Sequence, residues 1–320
     1  MKKFIPTFIF CCAILLSACS APTENPATPT VTSQLPVATE AAPTKAPVSI
    51  PATQEPTATA NPTLAPGEWM KLPVVPQKIS ETTKKIYARG QELGNNPKAF
   101  SKVGDSNSTL PEFFADFDRP RAYRLGDYAY LQPAVDQFSG SWGRSSLAVK
   151  IGMSTNGVLS PLWANWKECK ANESPLLCEY RIQKPSFALI ALGTNDAYDA
   201  HTEPMEERYR KVIELTIKQG IVPILATKAD NLEGDHLVNE TIVRLANEYD
   251  IPLMNFWAAM QELPDQGLET AFHFTSGGDV GTCEFDSIEN LKYGWTVRNL
   301  TALQSLDVVW RAVTGQPPSK

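Results

Sequence analysis

From Glu68 onward, two kinds of apolar pattern take turns along the chain. Short apolar runs come first: Ala99-Phe100-Ser101-Lys102-Val103, Leu147-Ala148-Val149-Lys150-Ile151, Phe187 to Leu192, Ile221 to Ala226 and Pro252 to Phe256. Runs of that length predict strands, and the unbroken Phe187–Leu192 run suits a strand covered on both faces. Between and after them, apolar residues recur at helical spacing. Met205, Tyr209, Val212, Ile213 and Thr216 share one face, as do Val238, Ile242, Leu245, Ala246 and Tyr249. A last stripe runs through Leu300, Leu303, Leu306, Val309, Trp310 and Val313. Strand and helix in alternation predict a three-layer α/β domain, a parallel sheet with helices on both faces. In such sheets chemistry collects at the carboxyl ends of the strands.

The N-terminal part follows different rules. Between Ser20 and Gly67 lie ten Pro, ten Thr and ten Ala and no aromatic residue, a composition that cannot offset its ordering entropy by burial. This stretch is expected to be a disordered tether over 19–67, with the folded domain at 68–320. Before it, Lys2 and Lys3 precede an apolar run from Phe4 to Leu16, too short to span a bilayer and patterned as an export signal over 1–18. The run ends Leu16-Ser17-Ala18-Cys19, which resembles the lipobox of bacterial lipoproteins. That resemblance implies acylation of Cys19 and an extracytoplasmic domain anchored to a bacterial membrane by lipid. Export into an oxidising compartment makes Cys169 and Cys178, with eight residues between them, a loop disulfide and leaves Cys283 over. The net charge of −6 argues against nucleic-acid binding. No metal or cofactor is implied, and a monomer is expected.

Each expected strand ends in residues with chemical potential. Gly104-Asp105-Ser106 follows the first, Gly152-Met153-Ser154 the second and Gly193-Thr194-Asn195-Asp196 the third. His273 follows the fifth, beyond a short helix. A hydroxyl, a glycine amide, a carboxamide and an imidazole make up the set needed for acyl transfer.

These blocks, in this order, resemble the SGNH (GDSL-type) hydrolase family over nearly all of the folded part. Gly104-Asp105-Ser106 matches its nucleophile block and Gly193-Thr194-Asn195-Asp196 its G-x-N-D block; Gly152 is a weaker match. The resemblance implies a flavodoxin-like sheet and hydrolysis of esters, including acyl groups on carbohydrate. It makes Ser106 the nucleophile, His273 the base, and the Ser106 amide, the Gly152 amide and the Asn195 side chain the oxyanion donors. One position departs. The family's last block reads D-x-x-H, and Thr270 stands three before His273. Glu269, Asp265, Asp279 and Asp286 are the nearby carboxylates that could orient the imidazole instead. His201 and His236 are the other two histidines in the chain, and His201 is the rival base. A second reading follows from Thr270: a surface binding module that kept the fold and lost turnover. Trp142, Trp163 and Trp166 then offer a sugar platform, against the more usual fate of tryptophan in a core.

Overall fold

The computed structural model describes residues 64–201, 204–278 and 281–319. The signal, the lipobox with Cys19 and nearly all of the tether lie outside the described residues, as does Asp279. Four strands, β1 (Asn96–Gly104), β2 (Pro185–Ala191), β3 (Val222–Ala226) and β4 (Leu253–Met254), form a parallel sheet in the order β1-β2-β3-β4. Eight α-helices accompany them among the described residues: α1 (Glu81–Glu92), α2 (Gln132–Gln137), α3 (Thr155–Leu159), α4 (Pro175–Gln183), α5 (Met205–Lys218), α6 (Leu237–Glu248), α7 (Phe256–Gln261) and α8 (Gly294–Thr314). One group, α1, α2 and α8, packs together; α3, α4, α5 and α6 form the other.

The alternation of side chains along β1 explains the two layers. Phe100 packs edge-on against Phe114 and Phe138 and tilted against Trp142, and Phe138 continues to Trp310 on α8. Lys102 follows on the same side, fully buried, its Nζ donating to the Trp142 carbonyl at 2.8 Å. Burial pushes that amine down to about 7. Ser101 points the other way and donates to the buried carboxylate of Glu179 on α4. Trp142 is therefore core, as its size favours.

Two of the five expected strands are corrected. Leu147–Ile151 is not a strand: it touches the sheet through a single parallel bridge, Gly104 to Val149. Its other backbone groups are taken elsewhere. Leu147 N–H donates to Glu179, Ala148 N–H to Ser146 Oγ, and turns close at Ser146–Val149 and Lys150–Met153. The segment still flanks β1 on its free edge, so the chain crosses the sheet in the order second, first, third, fourth, fifth. The last strand shrinks to Leu253–Met254 because the Asn255 side chain accepts from Ala258 N–H and starts α7 at Phe256.

Serine and proline mark the helix starts. Ser80 accepts from Thr83 N–H, Ser154 from Gly157 N–H and Ser174 from Leu177 N–H, with Pro175 at the first turn of α4. The Cys169–Cys178 disulfide closes the loop before α4, with Cα atoms 5.3 Å apart, and Cys283 is free and buried. Among the described residues no helix is long and apolar enough to cross a membrane.

Candidate active site

β1 delivers the chain into a single 3₁₀ turn, Ser106–Ser108. Gly104 is required at the strand's end, since a Cβ there would lie 2.3 Å from Ser108 Oγ and 2.9 Å from the Ala191 carbonyl. Asp105 caps the turn: its carboxylate accepts the Asn107 N–H at 2.9 Å. Ser106 sits half-buried at the first position of this turn. The turn is fastened to the histidine loop by Asn107, whose Nδ2 donates to the Phe272 carbonyl at 2.9 Å, one residue before His273.

The other two blocks converge on the same turn. β2 ends in a second 3₁₀ turn, Thr194–Asp196. Asn195 Nδ2 reaches Asp105 Oδ2 at 3.3 Å and the Met153 carbonyl at 3.1 Å, so one carboxamide joins the residues flanking Ser106 and Gly152. Gly152 adopts φ 79°, a left-handed conformation that glycine takes without strain. Asp196, wholly buried, accepts from the Thr155 amide and hydroxyl and thereby holds the Gly152 loop beside the Asn195 turn. Arg208 lies within 3.9 Å of it. Burial raises Asp196 above the usual carboxylate range, with the Thr155 hydrogen bonds and Arg208 opposing it.

The histidine loop is a small hairpin in which Leu268 bridges Phe274 and Glu269 N–H donates to the His273 carbonyl. Thr270 Oγ accepts the His273 N–H at 3.0 Å. The hydroxyl at the family's aspartate position thus binds the backbone of the histidine. Of the alternative acids, the three described ones are elsewhere occupied or turned to solvent. Asp286 is exposed and lies 3.8 Å from Arg124. Asp265 and Glu269 are exposed, and among the described residues no carboxylate is ion-paired with His273. His201 is exposed and lies 3.7 Å from Asp235. His236 caps α6 at φ 61° with its ring edge-on between Trp69 and Trp257.

Beneath the turn is a buried charged layer that no sequence motif marks. Arg298 of α8 is 2% exposed, its guanidinium 4.8 Å from the Phe113 ring and 4.9 Å from the Phe256 ring. Lys228, just past β3, is clasped by Asp230 at 2.7 Å and Glu233 at 2.6 Å, and Thr194 Oγ donates to Asp230. Burial pushes Asp105 up to about 7, against the pull of its Asn107 hydrogen bond and of Arg298. The same burial draws Arg298 down to about 10. The Gly104-Asp105-Ser106 string marked Ser106 and gave Asp105 no role, and nothing local pointed to Arg298, which sits in α8 among other buried polar residues, Asn299, Thr301 and Ser305.

Trp163 packs over Gly157 and near Gly152, with the Lys150 ammonium 5.2 Å from its ring. Trp166 is 82% exposed. Ile151, Leu162 and Tyr198 are exposed as well.

No protein-family model matches the chain, and no curated protein sequence does. Among solved structures, a GDSL-like lipase from Bacteroides thetaiotaomicron is similar at 16% identity over 71% of this chain and 99% of its own, with a TM-score of 0.39. A variant of an acetyl xylan esterase from Geobacillus stearothermophilus is similar at 16% identity over 65% of this chain and 94% of its own, with a TM-score of 0.38. At that distance the chemistry has to be read from the residues themselves.

Proposed function

We propose that this chain is a serine ester hydrolase of the SGNH type, acting outside the cytoplasm and anchored through lipid on Cys19. The observation that supports it best is the cross-bracing of the three blocks. Asn195 reaches both Asp105 and Met153, and Asn107 ties the Ser106 turn to the loop bearing His273. That economy of side chains serves a site better than it serves a core.

In this reading Ser106 Oγ attacks the ester carbonyl while His273 accepts its proton. The carbonyl π electrons move onto oxygen, and the resulting oxyanion meets the Ser106 amide, the Gly152 amide and one Asn195 N–H. The Asn195 contact with Asp105, at 3.3 Å, is the longer of its two and is the one a substrate oxygen competes for. Each such donor contributes about 2.7–4 kcal/mol to the transition state. Collapse expels the alcohol, which takes the proton from His273. Water then repeats the sequence on the acyl-enzyme and releases the acid. Ile151 directly precedes Gly152 and Tyr198 lies three residues beyond Asn195, and with Trp166 they are exposed side chains of a kind that suits a sugar ring, so acylated carbohydrate is the favoured substrate class.

Thr270 at the family's aspartate position, with no carboxylate ion-paired to His273 among the described residues, favours a second reading, a glycan-binding module without turnover. A panel of acetyl and longer acyl esters on phenols and sugars separates the two. Hydrolysis by the wild type that Ser106→Ala abolishes supports the enzyme; glycan binding with no hydrolysis supports the module.

A further inference from the structure

A cavity of about 20 Å³ lies behind the nucleophile turn, lined among others by Asp105, Asn107, Thr194, Lys228, Phe256 and Arg298. That volume suits one water molecule. Two fully interior polar atoms on its lining residues lack a hydrogen-bond partner in the protein, Arg298 Nε and Asn107 Oδ1. A buried donor or acceptor left without a partner is destabilising, more so when it belongs to a charged group. The rings of Phe113 and Phe256 lie close to the guanidinium, and neither can accept a hydrogen bond as a carbonyl would. Asn107 has no freedom to turn, because its Nδ2 is committed to the Phe272 carbonyl. Arg298 and Asp105 attract one another across this space without a direct hydrogen bond. A polar pair so placed calls for a bridging molecule.

We propose that one ordered water occupies this cavity, accepting from Arg298 Nε and donating to Asn107 Oδ1, and that through it Arg298 acts as a positioning residue for the Ser106 turn. The orphan pair selects water over an ion: a halide would serve the arginine alone and an alkali cation the carboxamide alone. The consequence reaches every block of the site. Asn107 holds the histidine loop, and Asp105 holds the Asn107 amide and the Asn195 carboxamide. An ionised Asp105 accepts both; a protonated one places a hydrogen on one of those oxygens. The groups acting on Asp105 are Arg298 from α8, which favours its charge, and Asp230 beyond β3 and Asp196 beyond β2, which oppose it. Lys228 on the same wall is already clasped by Asp230 and Glu233.

Two measurements test this, and only the second part of the second depends on the ester-hydrolase reading. A high-resolution crystal structure of the wild type should show a single water within hydrogen-bond distance of Arg298 Nε and Asn107 Oδ1; a dry cavity, or an ion refined there, overturns the proposal. Carboxyl 13C NMR of aspartate-labelled protein should find Asp105 titrating near 7 in the wild type, consistent with its placement. In Arg298→Met that titration should move up by about one unit or more, the size of effect a nearby opposite charge exerts. The acid limb of kcat/KM on an ester should move up with it, while Arg298→Lys should return both most of the way. A folded Arg298→Met protein with an unmoved Asp105 titration refutes the positioning role even if no ester is ever turned over. If Arg298→Met does not fold, Arg298→Lys and the wild-type crystal structure decide the matter.

Discussion

Thr270 has one side-chain oxygen, and the His273 amide uses it. An aspartate at that position has two, one for the same amide and one for the imidazole. Thr270→Asp should therefore keep the turn and supply the orienting acid, raising kcat on an activated ester by about tenfold or more, since loss of such an acid costs on the order of 10⁴. The same change in Ser106→Ala should do nothing. A neutral or harmful effect in a folded Thr270→Asp protein would mean that another group already orients His273. At this scale the sequence was partly legible. Gly104, Ser106, Gly152 and Asn195 stood out as candidates because each follows an apolar run, where a parallel sheet gathers its loops, and Asn195 does join the loops of the other blocks. The fastening role of Asn107 and the buried Arg298 did not stand out. Both depend on contacts across 165 or more positions or on a cavity that only the packed chain creates.

The segment from Leu147 to Ile151 shows why an apolar run is an incomplete signal for a strand. Its composition fits a strand, yet Ser146 and Glu179 capture its amides before the ladder with β1 can form. Such side-chain acceptors compete with a sheet at its edge. Phe187 to Leu192 has no such competitor between β1 and β3, and there the expected and observed strands nearly coincide. Further along, Arg181 anchors the loop before α4 through a bidentate pair with Glu173, and the disulfide closes it. Removing that crosslink with Cys169→Ser and Cys178→Ser frees a loop of about nine residues in the unfolded chain, worth about 2.6 kcal/mol on loop-closure entropy. Urea denaturation should find a loss of roughly 2–4 kcal/mol, the upper end because Cys178 is buried. Non-reducing mass mapping should return the same pair with Cys283 as the free thiol. No loss of stability in the double variant would mean that the loop is held by Arg181 and Glu173 alone.

In the proposed function, the whole molecule is a hydrolytic domain held to a membrane through one residue. If Cys19 carries the lipid, Cys19→Ala should abolish acylation and shift the protein from the membrane fraction to the soluble or unprocessed fraction. An unchanged protein that still requires detergent for release would refute the anchor while leaving the site untouched. The strand-and-helix rhythm made the α/β architecture legible because each buried run repeats the same packing demand. The acyl group and the substrate were not legible in the same way, since no local pattern specifies what a surface side chain binds, and the exposed apolar residues Ile151, Leu162, Trp166 and Tyr198 are scattered along the chain. In the proposed mechanism Ser106 is a nucleophile activated by His273. Labelling the wild-type protein with a fluorophosphonate, followed by peptide mass mapping, tests it most directly. One adduct on Ser106, lost in Ser106→Ala and strongly slowed in His273→Ala, is the predicted result. No adduct on the folded wild type, or one that forms equally fast in His273→Ala, would contradict it.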